Sequence, residues 1–254
     1  MGNQVGRLLP LTAPRRLICD LIHFARRIPS VPVQRRMRLA PLVEARARQP
    51  WPIRWCTLLT KAFAQVAAMV PELRRAYLSF PRPRLYEHPH SIASVAVERQ
   101  YGGENVVLFT RLVQPEDMPI CELDRLLCQA KKDPVESIRS FRRALMVSRL
   151  PSLLRRALWW VALNCSGYRR ARWLGTFGVS TYSGLGAESL HPLSPLTATL
   201  NYGVIGRGGS VAVRITYDHR VLDGATVARA LARMEEVLNE GLVGELRSSR
   251  LAAA

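Results

Sequence analysis

Residues 215–231 read ITYDHRVLDGATVARAL, and a change of period inside this stretch decides the local architecture. Val211, Val213, Ile215 and Tyr217 put apolar side chains at every second position, the spacing of a half-buried strand. From Val227 the spacing passes to Leu231, Met234 and Leu238, one face of an amphipathic helix. His219 therefore stands where a strand gives way to a helix, flanked by Asp218, Arg220 and the pair Asp223-Gly224. Loops held by rigid elements are where binding and catalytic groups concentrate.

Working outward, four further stretches fall into the same scheme. RRLICDLIHFARRIP (15–29) is a helix that opens on paired arginines and closes at Ile-Pro, and LLTKAFAQVAAMVPELRRAY (58–77) is a longer helix that also runs into a proline. SIASVAVERQYGGENVVLF (91–109) is a hairpin, and GTFGVSTYSGLG (175–186) carries Ser180 near a Gly-rich turn. Together with Asp218-His219-Arg220-Val221-Leu222-Asp223-Gly224, these stretches resemble the catalytic domain of the dihydrolipoyl acyltransferases of 2-oxo acid dehydrogenase complexes, whose signature is DHRxxDG. Chloramphenicol acetyltransferase shares that fold. The resemblance covers roughly residues 15–245 and is strongest at the last motif.

The resemblance implies an α+β two-layer sandwich of the chloramphenicol acetyltransferase type, with a mixed sheet flanked by helices. It also implies transfer of an acyl group from a thioester to a thiol, hydroxyl or amine. That reaction needs a base for the incoming nucleophile and a donor for the tetrahedral oxyanion. His219 takes the first role, since imidazole titrates near neutral pH. Ser180 takes the second, although the asparagine that follows the serine in the family is missing and Thr181 and Ser183 stand close by. Asp223 is expected to pair with Arg15 or Arg16 and hold the shape of the site, or to serve as an N-cap worth about 1 kcal/mol. Asp218 shapes the turn, and Gly224 permits close backbone packing. Relatives form trimers in which the histidine of one subunit faces the serine of the next, so a homotrimer is expected.

The chain has 254 residues, enough for one large domain spanning 1–254. Residues 1–13 and 247–254 read as frayed ends. The fold-like pattern begins near Arg15, which leads to the expectation of a stand-alone domain without lipoyl module or tether. Five scattered cysteines without a CxxC pair argue for a reducing compartment, hence a cytoplasmic location. No apolar run has the roughly 18 residues of a membrane span.

Much of the formal net charge of +18 lies in a basic helical insertion at 139–173, which holds nine arginines and no acidic residue. The corresponding connection in the dihydrolipoyl acyltransferases is shorter and less basic. Within it, Leu153, Leu154, Ala157, Leu158, Val161 and Ala162 share a helical face behind Pro151. Three readings stay open: a surface helix with solvated arginines, a peripheral membrane contact through 151–173, or a docking patch for an acyl carrier protein or coenzyme A phosphates. Nucleic acid is disfavoured because no binding motif accompanies the charge. Arg35, Arg36 and Arg38 add positive charge where relatives carry acidic and small residues, so the lipoyl channel is expected to be remodelled.

The co-substrate expected is a coenzyme A thioester or acyl carrier protein, with no covalently bound cofactor and no metal. His88 and His90 lack the further ligands a metal needs. His191 is placed to line a substrate entrance, and His23 reads as structural. The alternative class is a non-catalytic basic scaffold, or membrane-surface protein, that retains the acyltransferase fold.

Overall fold

The computed structural model describes residues 6–251. The expected frayed ends fall partly at 1–5 and 252–254, outside the described residues. In chain order the elements are α1 (Ala13–Ala25), β1 (Ser30–Arg38), α2 (Ala40–Ala47), α3 (Trp55–Met69), β2 (Arg75–Leu78), β3 (Arg84–Glu87), β4 (Ile92–Tyr101) and β5 (Glu104–Val113). They continue with α4 (Ile120–Lys132), α5 (Arg139–Ser148), α6 (Ser152–Asn164), α7 (Gly167–Leu174), β6 (Phe177–Val179), β7 (Ala198–Tyr202), β8 (Ser210–Asp218), α8 (Gly224–Glu236) and α9 (Leu242–Leu251). The segment from 247, expected to fray, is helical to Leu251.

Six strands form one sheet in the order β1-β8-β7-β6-β4-β5, and β2 pairs with β3 in a small separate ribbon. β6 runs parallel to both β4 and β7, while the other pairs are antiparallel, so the sheet is mixed and the α+β class holds. On its first face, Val95, Val179, Leu200, Val213, Ile215 and Tyr217 pack under α3 and α8. α3 is buried around most of its circumference, through Leu58, Leu59, Ala62, Phe63 and Val66, with Thr57, Thr60 and Lys61 buried beside them and the lysine paired with Glu245 at 3.2 Å. Its Phe63 ring meets Phe177 of β6 at 4.5 Å. Asp124 of α4 anchors the start of α3, accepting from the Arg54 N–H at 3.0 Å and the Thr57 hydroxyl at 2.6 Å. A carboxylate there complements the positive end of the helix dipole.

The turn into β8 depends on Gly209. Its φ is +76°, and a Cβ there would stand 2.6 Å from the Ala40 nitrogen. Leu39 donates its N–H to the Gly209 carbonyl at 2.9 Å, which ties this turn to the start of α2. No side chain other than hydrogen fits between them.

β8 departs from the half-buried strand expected of it. Arg214, Thr216 and Asp218, on the face opposite Ile215 and Tyr217, are buried as well. The segment after Ser180 folds back over Arg214, which reaches Glu188 at 2.8 Å and the Ser189 carbonyl at 3.1 Å.

The basic insertion forms three helices, α5 to α7, and a second core grows beneath them from Leu17, Phe24, Leu108, Phe141, Leu145 and Trp159. The inward face of α6 is not the one expected. Arg155, Trp159, Ala162 and Leu163 are buried, while Leu153 is 82 % and Leu154 49 % exposed. The helix is rotated because Arg155 grips the buried Asp20 of α1, with Nη2 3.2 Å from Oδ1 and a second, shorter contact from Nε to Oδ2. Arg170 is also internal, donating to the carbonyls of Tyr77 and Pro195 at 2.8 Å each. Neither arginine belongs to a surface patch.

Candidate active site

β8 ends at Asp218, whose fully buried carboxylate receives three N–H groups from one residue. The Arg220 backbone N–H donates to Oδ1 at 3.0 Å, its Nε to the same oxygen at 2.9 Å and its Nη2 to Oδ2 at 2.7 Å. The Asp218 carbonyl accepts from Val221 and Leu222 at 3.0 and 3.1 Å. Both ends of Asp218 thus fold the turn that carries His219. The Arg220 guanidinium lies 4.4 Å over the Tyr77 ring, which fixes it from the other side.

His219 projects from this turn with its side chain half exposed. Its N–H donates to the Pro29 carbonyl at 3.0 Å, and its ring stands edge-on to Tyr217 at 5.7 Å. Asp223 occupies the N-cap position of α8 with extended backbone angles, yet its side chain makes no capping hydrogen bond. The carboxylate is turned instead to His219, with Oδ1 3.8 Å from Nδ1. Capping is therefore not its role. Gly224, the first residue of α8, packs where a Cβ would stand 3.3 Å from the Tyr217 hydroxyl.

The pairing of Asp223 with Arg15 or Arg16 is not formed within the chain. The part of α1 that approaches His219 is its C-terminal exit, through Pro29. The two arginines lie at the opposite end of this 13-residue helix, about 20 Å away. Arg16 donates from Nε to the Leu11 carbonyl at 3.0 Å, and Arg15 lies on the rim of a cavity.

Ser180 lies just beyond β6, and its N–H donates to the Leu200 carbonyl at 3.0 Å. Of the neighbouring hydroxyls, Thr181 donates to the Tyr202 carbonyl at 3.2 Å and lies 3.0 Å from the Ser183 hydroxyl. The Ser180 hydroxyl makes no hydrogen bond among the described residues and opens on a cavity of about 710 Å³ over the second face of the sheet, within the ordinary range of ligand sites. α1, α5, α6 and α7 wall this cavity, and His191 lines it with its Nε2 2.8 Å from the Ser30 hydroxyl.

The sheet register separates the two principal residues. Ser180 follows Val179, which is level with Leu200, whereas Asp218 donates its N–H to Thr197 at the other end of β7. Five residues along the sheet and two strand spacings across it put Ser180 and His219 roughly 20 Å apart in one chain. Three participants escaped the sequence reading: Arg220 as partner of Asp218, Tyr77 beneath it, and Arg111 in the cavity. Only Arg220 had a local signal, two residues from Asp218 in the same turn.

Among the described residues no cluster of three metal-ligating side chains occurs, and no helix is long and apolar enough to cross a membrane. His88 is buried beside Arg170 and Arg74, and burial first, then those cations and His90, push its pKa down to about 4.

No protein-family model matches the chain, and no curated protein matches it. Solved structures do share its fold. A dihydrolipoamide acetyltransferase of Azotobacter vinelandii superimposes with a TM-score of 0.67 at 16 % identity, over 94 % of this chain and 93 % of that one. A probable dihydrolipoamide acetyltransferase from Listeria monocytogenes gives 0.64 at 16 %, over 92 % and 95 %. The truncated catalytic core of the 2-oxoacid dehydrogenase multienzyme complex from Thermoplasma acidophilum gives 0.64 at 15 %, over 92 % and 99 %. The fold is that of the acyltransferase cores.

Proposed function

We propose that the chain is an acyltransferase whose active site is completed between copies, with His219 of one protomer as general base and Ser180 of another as oxyanion donor. The separation of roughly 20 Å between these residues, each open to its surroundings, carries the reading. A serine, a histidine and an asparagine were studied for their roles in the catalytic mechanism of the Azotobacter vinelandii enzyme, the asparagine four residues after the histidine. Asp223 stands at that spacing from His219 here and faces its ring. In this scheme Asp223 orients the imidazole, Asp218 and Arg220 hold the turn rigid, and Gly224 lets α8 start against Tyr217. The acyl group arrives as a coenzyme A or carrier-protein thioester, and the protein works in the cytoplasm as a homotrimer.

Mixing variants tests the shared site. His219→Ala and Ser180→Ala proteins are each expected to lose acyl-CoA turnover. Unfolded together and reassembled, they should recover about a quarter of wild-type activity, since random pairing in a closed ring leaves one interface in four with both groups intact. Reassembled mixtures as inactive as either parent would reject a site built from two protomers.

A second observation supports a peripheral membrane contact through 151–173. The outer side of α6 and α7 exposes Leu153, Leu154, Trp160 and Tyr168 among Arg156, Arg169 and Arg172. Such a mixture of apolar and cationic groups suits the interface of an anionic bilayer. A scaffold that kept only this surface would bind vesicles and turn over no thioester.

A further inference from the structure

The cavity beside Ser180 carries charge that the catalytic scheme does not use. Its floor is a row in register across four strands: Thr199 opposite Gly178, Gly178 opposite Ser94, and Ser94 opposite Arg111. Arg111 lines the cavity, with Nη1 2.5 Å from the Trp173 carbonyl. Burial, followed by the nearby charges of Arg143 and Arg139 on α5, lowers its pKa. None of these three arginines has an ion pair among the described residues. The first turn of α5 has no acidic residue and no side-chain cap, so its positive end adds to theirs. Glu104 also lines the cavity but lies seven residues from Arg111 along β5, about 23 Å away. Thr199 is 4 % exposed, and its hydroxyl has no partner.

Away from these arginines the walls are mostly aliphatic and aromatic, with Leu17, Ile18 and Leu21 of α1, Leu158 and Trp159 of α6, and Phe109 of β5, beside a few polar groups such as Asn105 and His191. Ser180 is level with Phe109, two strands across from it, which sets its Cα about 12 Å from that of Arg111. A largely apolar trough with Arg111 and Arg143 together, and Arg15 apart from them on the rim, disfavours two kinds of ligand. A small hydrophilic anion would leave the walls unused, and a neutral hydrocarbon would leave Arg111 and Arg143 uncompensated.

We propose that this cavity binds an elongated anionic amphiphile, an aliphatic chain bearing a carboxylate or phosphate, with the charged group on Arg111 and Arg143. Its role as the acyl acceptor, for which the chain must also carry a hydroxyl, thiol or amine near Ser180 to take the acyl group as the thioester sulfur leaves, rests on the acyl-transfer reading; the binding itself does not. The arginines offer the charge-assisted donors that such a head group requires, and the chain covers the Leu17–Leu21 wall.

Equilibrium dialysis against labelled palmitate, hexadecyl phosphate and hexadecanol tests the assignment on the full-length protein. Wild type is expected to take up one palmitate or one hexadecyl phosphate per chain, and preference between the two identifies the head group. Arg143→Glu, an exposed and unpaired position, should weaken both anions by about tenfold or more and leave hexadecanol unchanged. Ala144→Phe, which narrows the cavity, should weaken all three. His219→Ala should bind palmitate like wild type, so loss of turnover and loss of binding are read separately. Equal palmitate affinity in wild type and Arg143→Glu would overturn the proposal. So would a change in oligomer mass on Ala144→Phe without a change in palmitate binding, which would make the trough a contact between copies.

Discussion

Asp218 and Arg220 face each other across a single turn, with both carboxylate oxygens held by the guanidinium and Oδ1 taking the Arg220 backbone N–H as well. The pair acts as a clamp at the base of His219. Asp218 is fully buried, while Arg220 keeps part of its side chain in solvent and rests its guanidinium on Tyr77. Replacing Asp218 by Asn keeps the shape and removes the charge, so the Arg220 head loses its counter-ion. We expect a loss of about 1.5–3 kcal/mol in denaturant unfolding, the range for hydrogen bonds to charged groups. Unchanged stability in Asp218→Asn would show that the backbone alone folds the turn.

Asp20 and Arg155 join α1 to α6 in a buried pair separated by 135 positions in sequence. A buried pair adds little over an apolar replacement, but removing one partner strands the other charge. Arg155→Met is expected to cost about 3–5 kcal/mol. The double variant Asp20→Leu with Arg155→Met should regain most of that loss, read as a coupling energy in a double-mutant cycle. Additive losses would mean that the two side chains do not depend on each other.

His88 gives the fold a pH dependence with a defined sign. Its imidazole is neutral when buried, because burial and the Arg170 and Arg74 charges hold its pKa at about 4, while an unfolded chain titrates near 6.5. The unfolded state therefore binds the extra proton between those values. The stabilisation is complete above pH 6.5 and is lost as pH falls toward 4, by roughly 3 kcal/mol in all. Unfolding midpoints measured between pH 7.5 and 4.5 should fall more steeply in wild type than in His88→Gln. Parallel curves would remove His88 from the account.

Period alone exposed the first face of the fold. Val211, Val213, Ile215 and Tyr217, and likewise Val227, Leu231, Met234 and Leu238, all prove to be buried. What the same pattern hid was polar burial. Arg214 is covered by a segment 25 or 26 residues earlier, and α6 turned Arg155 inward to meet an aspartate on α1. Hydrophobic spacing ranks apolar side chains, whereas a buried charge is placed by a partner distant in the chain. The partner of Asp223 was missed for a different reason. The paired arginines and Pro29 were read from one helix, and the length of that helix puts them at opposite ends of it.

The exposed face of α6 and α7 permits a test that separates charge from apolar insertion. Arg155 and Arg170 are internal and must be left intact, so the useful positions are Arg156 and Arg169. Each surface cation near an anionic bilayer contributes about 1 kcal/mol. Neutralising both as Arg156→Gln with Arg169→Gln should therefore reduce co-sedimentation with phosphatidylglycerol vesicles by roughly thirtyfold in partition coefficient. Added salt should weaken wild-type binding in the same direction, because exposed charges are screened within about 10 Å at 0.1 M. Leu153→Ser should weaken binding to anionic and to neutral vesicles alike, since it removes an inserted side chain without changing the charge. Binding that ignores both the arginine pair and Leu153 would leave this face as solvated surface and remove the membrane from the protein's function.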